Sequence, residues 1–217
     1  MSIVSWLLDL LYPPKCVVCR RLLTGKGPVC PRCMDALPEF DGAAPAVRFT
    51  SGGAVSFFYE GQLRESFLRF KFGGSAFYAQ TYGAWMAYTI RDKLAGKYDV
   101  LTWAPVSRAR KRKRGYDQSA LLCREIGIHL RLESMQTLRK IKDSPAQSTL
   151  TNAAQRRANV SGAYRAERPE CFAGKRVLII DDIVTTGATL AECSRTLLLA
   201  GASDVVYAAF AAPRKQD

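Results

Sequence analysis

The stretch Val177-Leu178-Ile179-Ile180-Asp181-Asp182-Ile183-Val184-Thr185-Thr186-Gly187-Ala188-Thr189-Leu190 decides how the rest of the 217-residue chain is read. Four apolar residues, two carboxylates, and a hydroxyl- and glycine-containing turn that opens a helical pattern describe a strand delivering a polar loop to a helix N-terminus. Such a terminus leaves backbone N–H groups unpaired and carries partial positive charge, so a phosphate fits on the amides of residues 186–189, Ala188 included. Thr185, Thr186 and Thr189 add hydroxyls, and Gly187 lets the backbone come close. Asp181 and Asp182 would repel that phosphate. They suit hydroxyl donors or a cation.

Ribose 5-phosphate meets both demands, with its 5-phosphate on the loop and its 2- and 3-hydroxyls donating to Asp181 and Asp182. The stretch resembles the signature of type I phosphoribosyltransferases, whose motif for phosphoribosyl pyrophosphate has this order of apolar strand, acidic pair and Thr-Thr-Gly-x-Thr loop. The competing reading is a buried strand followed by an Asp-capped turn, but adjacent acids at a strand end are costly to bury.

With 48% hydrophobic and 24% charged residues, the composition is that of an ordinary soluble chain with one sizeable core and room for a small module. The 32 basic residues outnumber 19 acidic ones to give +13, which points to a polyanionic partner: a phosphate-rich small molecule, nucleic acid, or both. The apolar run at residues 3–11 is interrupted by Asp9, lacks a basic start and is too short to span a bilayer. Its Trp6, Leu7, Leu10 and Leu11 suit docking onto the protein itself, so no membrane span and a cytoplasmic location are expected.

Cys16, Cys19, Cys30 and Cys33 form C-x2-C-x10-C-x2-C, two thiol knuckles that complete the tetrahedron of a structural zinc; two disulfides are the alternative. A closed four-ligand site leaves no open position for chemistry. The expected organisation is an N-terminal helix and zinc-binding module over residues 1–40, with the remainder, 41–217, entered through a Pro- and Gly-bearing linker at 38–53. Cys123, Cys171 and Cys193 lack such spacing, and Cys193 reads as a small core residue. The single histidine, His129, has no visible partner, which argues against a His-dependent nucleophile.

Residues 54–59 read as a strand. Leu63, Phe67 and Phe70 then recur at helical spacing up to Lys71-Phe72-Gly73-Gly74, where Lys71 either faces an anion or is a solvated lysine at a helix C-terminus. Tyr78, Tyr82, Trp85, Met86 and Ile90 continue a longer helix. A short strand at 99–104, stopped by Pro105, feeds a run from Arg108 to Arg114 in which six of seven residues are basic. This run reads as a mobile solvated loop, yet it leaves a strand end, where open α/β sheets bind ligands, and its guanidinium groups suit a diphosphate. Nucleic acid is equally served by such charge. A helix at 116–131 follows, then short strands at 135–138 and 161–164 around a polar stretch, 139–159, that reads as a lid or an ordinary surface loop. Leu190, Cys193, Leu197 and Leu198 give the next helix its buried face, and 205–210 is the last strand. The fold class expected is α/β: a type I phosphoribosyltransferase-like parallel sheet flanked by helices, with a small N-terminal zinc ribbon.

The four-cysteine module, Lys71-Phe72-Gly73, the block Arg114-Gly115-Tyr116-Asp117-Gln118, the Gln147/Leu150/Arg157/Asn159/Val160 stretch and the acidic-pair signature occur in the order of the ComF family, which the chain resembles over nearly its whole length. The resemblance implies an amidophosphoribosyltransferase-like domain behind a zinc module and an association with DNA uptake. It implies that Asp181 and Asp182 meet the ribose hydroxyls, that Thr185, Thr186, Gly187, Ala188 and Thr189 cradle the 5-phosphate, and that Lys71, Arg108 and Arg114 are candidates for the diphosphate. The implied reaction displaces diphosphate from C1 of phosphoribosyl pyrophosphate, with magnesium, onto an acceptor that nothing in residues 40–59 identifies. The family block usually has Asn where this chain has Asp117, a charge that would weaken diphosphate binding or call for another magnesium. The rival class is a non-catalytic competence factor that binds single-stranded DNA through the basic face and serves the DNA-uptake machinery. Few aromatics interleave with residues 108–114, which weighs against base stacking there.

Overall fold

The structure is a computed structural model and describes residues 13–142 and 161–214. The amphipathic segment at residues 3–11 and most of the polar stretch, including Gln147, Leu150, Arg157, Asn159 and Val160, lie outside the described residues.

Four parallel strands, β1 (Gly52–Phe58), β2 (Val100–Trp103), β5 (Arg176–Ile183) and β6 (Asp204–Ala212), form a sheet in the order β1-β6-β5-β2. The central strand β5 pairs Val177 with Val205 on one side and with Val100 on the other. Its apolar run is buried on both faces, as expected of an inner parallel strand. Leu178 and Ile180 enter the core beneath α2 (Gly61–Phe72), α3 (Tyr78–Leu94) and α5 (Gln118–Leu130), while Val177 and Ile179 enter the core beneath α6 (Ala188–Leu199). Helices therefore cover both faces, and the sheet carries its polar residues at the C-terminal strand ends. The close crossing of α3 and α5 depends on Gly83, where a Cβ would lie 2.4 Å from that of Glu125.

Phe67, Phe70, Tyr82 and Phe210 form the aromatic centre of the larger core, with the Phe67 and Phe210 rings stacked at 4.5 Å. Among the described residues, the zinc module shares this core: Cys16, Val17, Val18 and Cys33 belong to the same cluster. Its first knuckle is closed by the pairing of Lys15 with Leu22, and the second sits on α1 (Pro31–Asp35), which begins after Cys30.

The basic run is a helix rather than a loop. In α4 (Arg108–Arg114), Ser107 caps the N-terminus by accepting from the Arg110 amide, and Gly115, at φ 83°, ends the helix. Hydrophobic periodicity could not reveal it, because none of its seven residues is buried. The two short strands also shift: β3 (Leu138–Lys140) and β4 (Tyr164–Ala166) pair antiparallel, Leu138 opposite Ala166, so each partner sets the other's limits. Among the described residues, no helix is long and apolar enough to cross a membrane.

Candidate functional site

The acidic pair ends β5, and the pleat sends its two side chains to different surroundings. Asp181 is buried, and its Oδ1 accepts from the Asp182 amide at 2.8 Å and the Ser119 hydroxyl at 3.3 Å. Burial, and then the neighbouring Asp182 charge, push the Asp181 carboxyl up to about 8. Asp182 is partly exposed: Oδ1 accepts from the Ile183 amide at 2.6 Å, and Oδ2 lies 2.7 Å from Lys71 Nζ.

Lys71 reaches Asp182 because two distant segments join. Gln118 Nε2 donates to the Lys71 carbonyl at 3.2 Å, and the Tyr116 hydroxyl donates to the Phe70 carbonyl. Arg114 Nη1 donates to Gln118 Oε1 at 2.9 Å, and its guanidinium lies 4.8 Å from the centre of the exposed Phe72 ring. Burial holds the Arg114 pKa below its ordinary value, while the Asp182 charge works in the opposite sense. The side chains of Lys71 and Asp182 are only 15% and 17% exposed, so removing the lysine would leave a poorly solvated, unpaired carboxylate at Asp182, at a cost of roughly 3 kcal/mol. Thus Lys71 and Arg114 converge on the acids. Arg108, the first residue of α4, is exposed and makes no ion pair among the described residues.

Between β5 and α6, Thr185 and Thr186 are exposed and Thr189 half-buried, while Gly187 and Ala188 are buried. Gly187, the residue before α6, supplies no side-chain cap, so the helix start keeps the partial positive charge that suits an anion. Gly187 has φ 69°, and a Cβ there would lie 2.8 Å from Val47, so both conformation and the packed linker require glycine.

Asp117 does not face a ligand as a bare charge. One oxygen accepts from the Ala120 amide at 3.2 Å, capping α5, and the other accepts from the Val106 amide at 3.0 Å, fixing the turn after β2. Two acceptor oxygens answer two donors, one each, whereas an amide side chain would have a single oxygen to serve both. Burial raises the Asp117 pKa.

The four cysteine sulfurs lie within 4.8 Å of one another, with Cys19 and Cys30 Sγ 3.8 Å apart, and none is disulfide-bonded. A zinc–sulfur bond of about 2.3 Å places tetrahedral sulfurs about 3.8 Å apart, so the donor set fits a structural zinc. Burial works to raise the Cys16 thiol, yet amides of Cys19, Cys30 and Val18 bring it down to about 7, while burial and the neighbouring thiols push Cys33 well up. Four thiolates need a divalent cation to coexist there.

The acids, the lysine, the charge of the basic run and the cysteines were legible in the sequence, whereas the helical form of the basic run was not. Ser119 was not singled out, and Phe72 and Tyr116 stood in quoted motif blocks without a role of their own: Ser119 meets Asp181 on β5, Tyr116 meets the end of α2 and Phe72 meets Arg114, contacts that no local spacing marks.

The chain matches the family model of the double zinc ribbon domain at residues 7–45 and that of the phosphoribosyl transferase domain at residues 118–217. It is 35% identical over 109 residues to the DNA utilization protein YhgH of Escherichia coli, covering 49% of this chain and 46% of that protein. It is 28% identical over 145 residues to the competence protein ComFC of Bacillus subtilis, covering 66% of this chain and 56% of that one. The chain thus spans about half the length of the curated relatives it matches. A solved structure of the allosteric regulatory enzyme of purine biosynthesis aligns with 63% of this chain and 25% of its own, at 22% identity and a TM-score of 0.42.

Proposed function

We propose, from the premise that this chain belongs to the ComF family, that it binds phosphoribosyl pyrophosphate with magnesium and transfers the phosphoribosyl group to an acceptor. The observation that carries this reading is the junction at the end of β5, where two carboxylates, one held by Lys71, precede an uncapped helix N-terminus lined by three threonines. The 5-phosphate takes the amides and hydroxyls of residues 185–189, the ribose hydroxyls take Asp181 and Asp182, and Lys71, Arg108 and Arg114 take the diphosphate. The hard oxygen donors of the acidic pair fit magnesium, which when bound supplies positive charge to the leaving diphosphate. The C1–O bond breaks with its electron pair going to diphosphate, the acceptor's lone pair bonds to C1 and its proton leaves to solvent, and the charge of Asp182, joined by Asp181 when it is ionised, opposes the positive charge that develops on the sugar. The zinc ribbon holds structure, and the protein acts in the cytoplasm.

Calorimetric titration with phosphoribosyl pyrophosphate and magnesium tests the site. Binding should be lost, by at least a hundredfold, in the Asp181→Asn/Asp182→Asn variant. An unchanged affinity would sink the ribose assignment.

A second reading, a DNA-uptake factor that binds single-stranded DNA, is favoured by a specific contact. The ring of Phe72, 65% exposed, lies against Arg114 of the basic helix and supplies the stacking surface that the local sequence lacks. Affinity for an oligothymidylate should then fall steeply between 50 and 200 mM salt, by roughly 10-fold or more, and salt-insensitive binding rejects it.

A further inference from the structure

A second site lies away from the acidic pair, in the cleft between the zinc ribbon and the loop joining α2 to α3. This cleft of about 530 Å³ is lined by Lys15 and Arg20 of the ribbon, Arg69 of α2, and Gly73, Ser75 and Phe77 of the loop. Its volume lies within the range of small-molecule sites. Among the described lining residues there are three cations and no carboxylate.

Arg69 is the fixed charge of the cleft. Its guanidinium donates to the Val18 carbonyl at 2.5 Å and to the Val17 carbonyl at 3.4 Å, so it is held in one orientation by the ribbon backbone. It has no ion-pair partner among the described residues, and because its Nε is buried an anion in the cleft would meet only its outer amino groups. A half-buried, immobilised cation without an anion is an unusual arrangement to retain, and a bound anion would compensate it. Lys15 and Arg20 are exposed and supply mobile charge opposite. Arg20 is presented by the first knuckle, where its backbone at φ 66° is closed by the bond from its amide to the Cys16 carbonyl.

The remaining wall is aromatic. Phe77 is 66% exposed, with its ring set edge-on against Tyr78 at 4.7 Å, which fixes the ring while leaving a face open. One fixed cation and two exposed ones beside an aromatic face match a ligand with a phosphate and a planar ring. A bare phosphate or a phosphorylated sugar would leave the ring unused.

We propose that this cleft binds a nucleotide unit, with its phosphate on Arg69, Arg20 and Lys15 and its base on Phe77. The unit is either a free nucleoside monophosphate or one residue of a single strand. The cleft shares Gly73 and Ser75 with the loop that follows Lys71, so an occupant would press on the segment that carries Lys71 to Asp182. This site is separate from the phosphoribosyl site and stands or falls without it.

The test is calorimetric titration of the full chain with adenosine 5′-monophosphate, adenosine and a short oligothymidylate, with zinc content measured for every sample. The monophosphate should keep its cleft binding in the Asp181→Asn/Asp182→Asn variant, which removes the phosphoribosyl site, the other place where a ribose 5-phosphate can bind. Binding should weaken at least tenfold in Lys15→Ala/Arg20→Ala and in Phe77→Ala, and adenosine should bind at least tenfold more weakly than its monophosphate. Phe77→Ala, outside the cysteine module, keeps the test valid where the double variant loses zinc. Oligothymidylate binding with the same Phe77 dependence, without binding of the monophosphate, also supports the cleft and assigns its source to a strand. Binding of neither ligand, or monophosphate binding lost in the Asp181→Asn/Asp182→Asn variant and unaffected by Phe77→Ala, overturns the proposal.

Discussion

Asp181 is held against its own chemistry. Burial raises its carboxyl to about 8, so in the ligand-free protein it carries its proton at neutral pH, while an unfolded chain would have lost it in the ordinary carboxylate range. The raised pKa makes its contribution to stability complete at acid pH and steadily smaller as pH climbs towards about 8. Asp181→Asn removes that penalty. Thermal unfolding should show the variant equal to wild type near pH 4 and more stable at pH 8–9, by on the order of 1–3 kcal/mol. Equal stability at both pH values would mean that the carboxylate is already solvated or paired. The same substitution should abolish ribose binding, so stability and binding pull in opposite directions at this residue. Asp117 shows a different outcome for a buried acid: its two oxygens are fully used by the Val106 and Ala120 amides, and the negative charge that the sequence set against a diphosphate is spent on the turn and the helix cap.

At the level of elements, the turn from β5 into α6 combines two demands on one residue. Gly187 must adopt φ 69°, and it must leave room for Val47, which the linker packs against it. Gly187→Ala should therefore destabilise the fold by roughly 1–3 kcal/mol and weaken phosphoribosyl pyrophosphate binding at least tenfold, read by denaturant unfolding and by calorimetry. A variant of wild-type stability and affinity would show that the loop is not held as described. The glycine was legible in the sequence as a close-approach position, whereas Val47 was not, because nothing in a linker's composition says which of its residues returns to the core. The basic run shows the same limit: its charge was plain, but its helical form depends on Ser107 and Gly115 at its ends and on no buried face that periodicity could register.

For the whole molecule, the zinc ribbon and the acidic pair are joined through one helix. The Ser66 hydroxyl donates to the Val17 carbonyl at 2.5 Å, Arg69 donates to Val18, and Lys71, two residues on, meets Asp182. Elemental analysis of protein purified without chelator should give one zinc per chain. Stripping the metal should lower the melting temperature by roughly 10 °C and weaken phosphoribosyl pyrophosphate binding several-fold, because α2 loses the surface that seats it. Unchanged melting after complete removal would show that the ribbon is energetically independent. The sequence by itself determined the parallel α/β class, the thiolate set, the acidic pair and the threonine loop. Each of these is written in contiguous residues whose period or spacing carries its own physics: apolar runs for inner strands, paired thiols for zinc, a glycine-bearing turn for the passage from strand to helix. Only the tertiary structure decided that Lys71 and Arg114 converge on the acids while Arg108 stays exposed, and that Ser119 supports Asp181. It alone showed that the ribbon shares the main core and that Phe77 lines one cleft with Lys15, Arg20 and Arg69. Those contacts join segments tens of residues apart, and they are fixed by packing across the sheet and the helix faces, which no local pattern encodes.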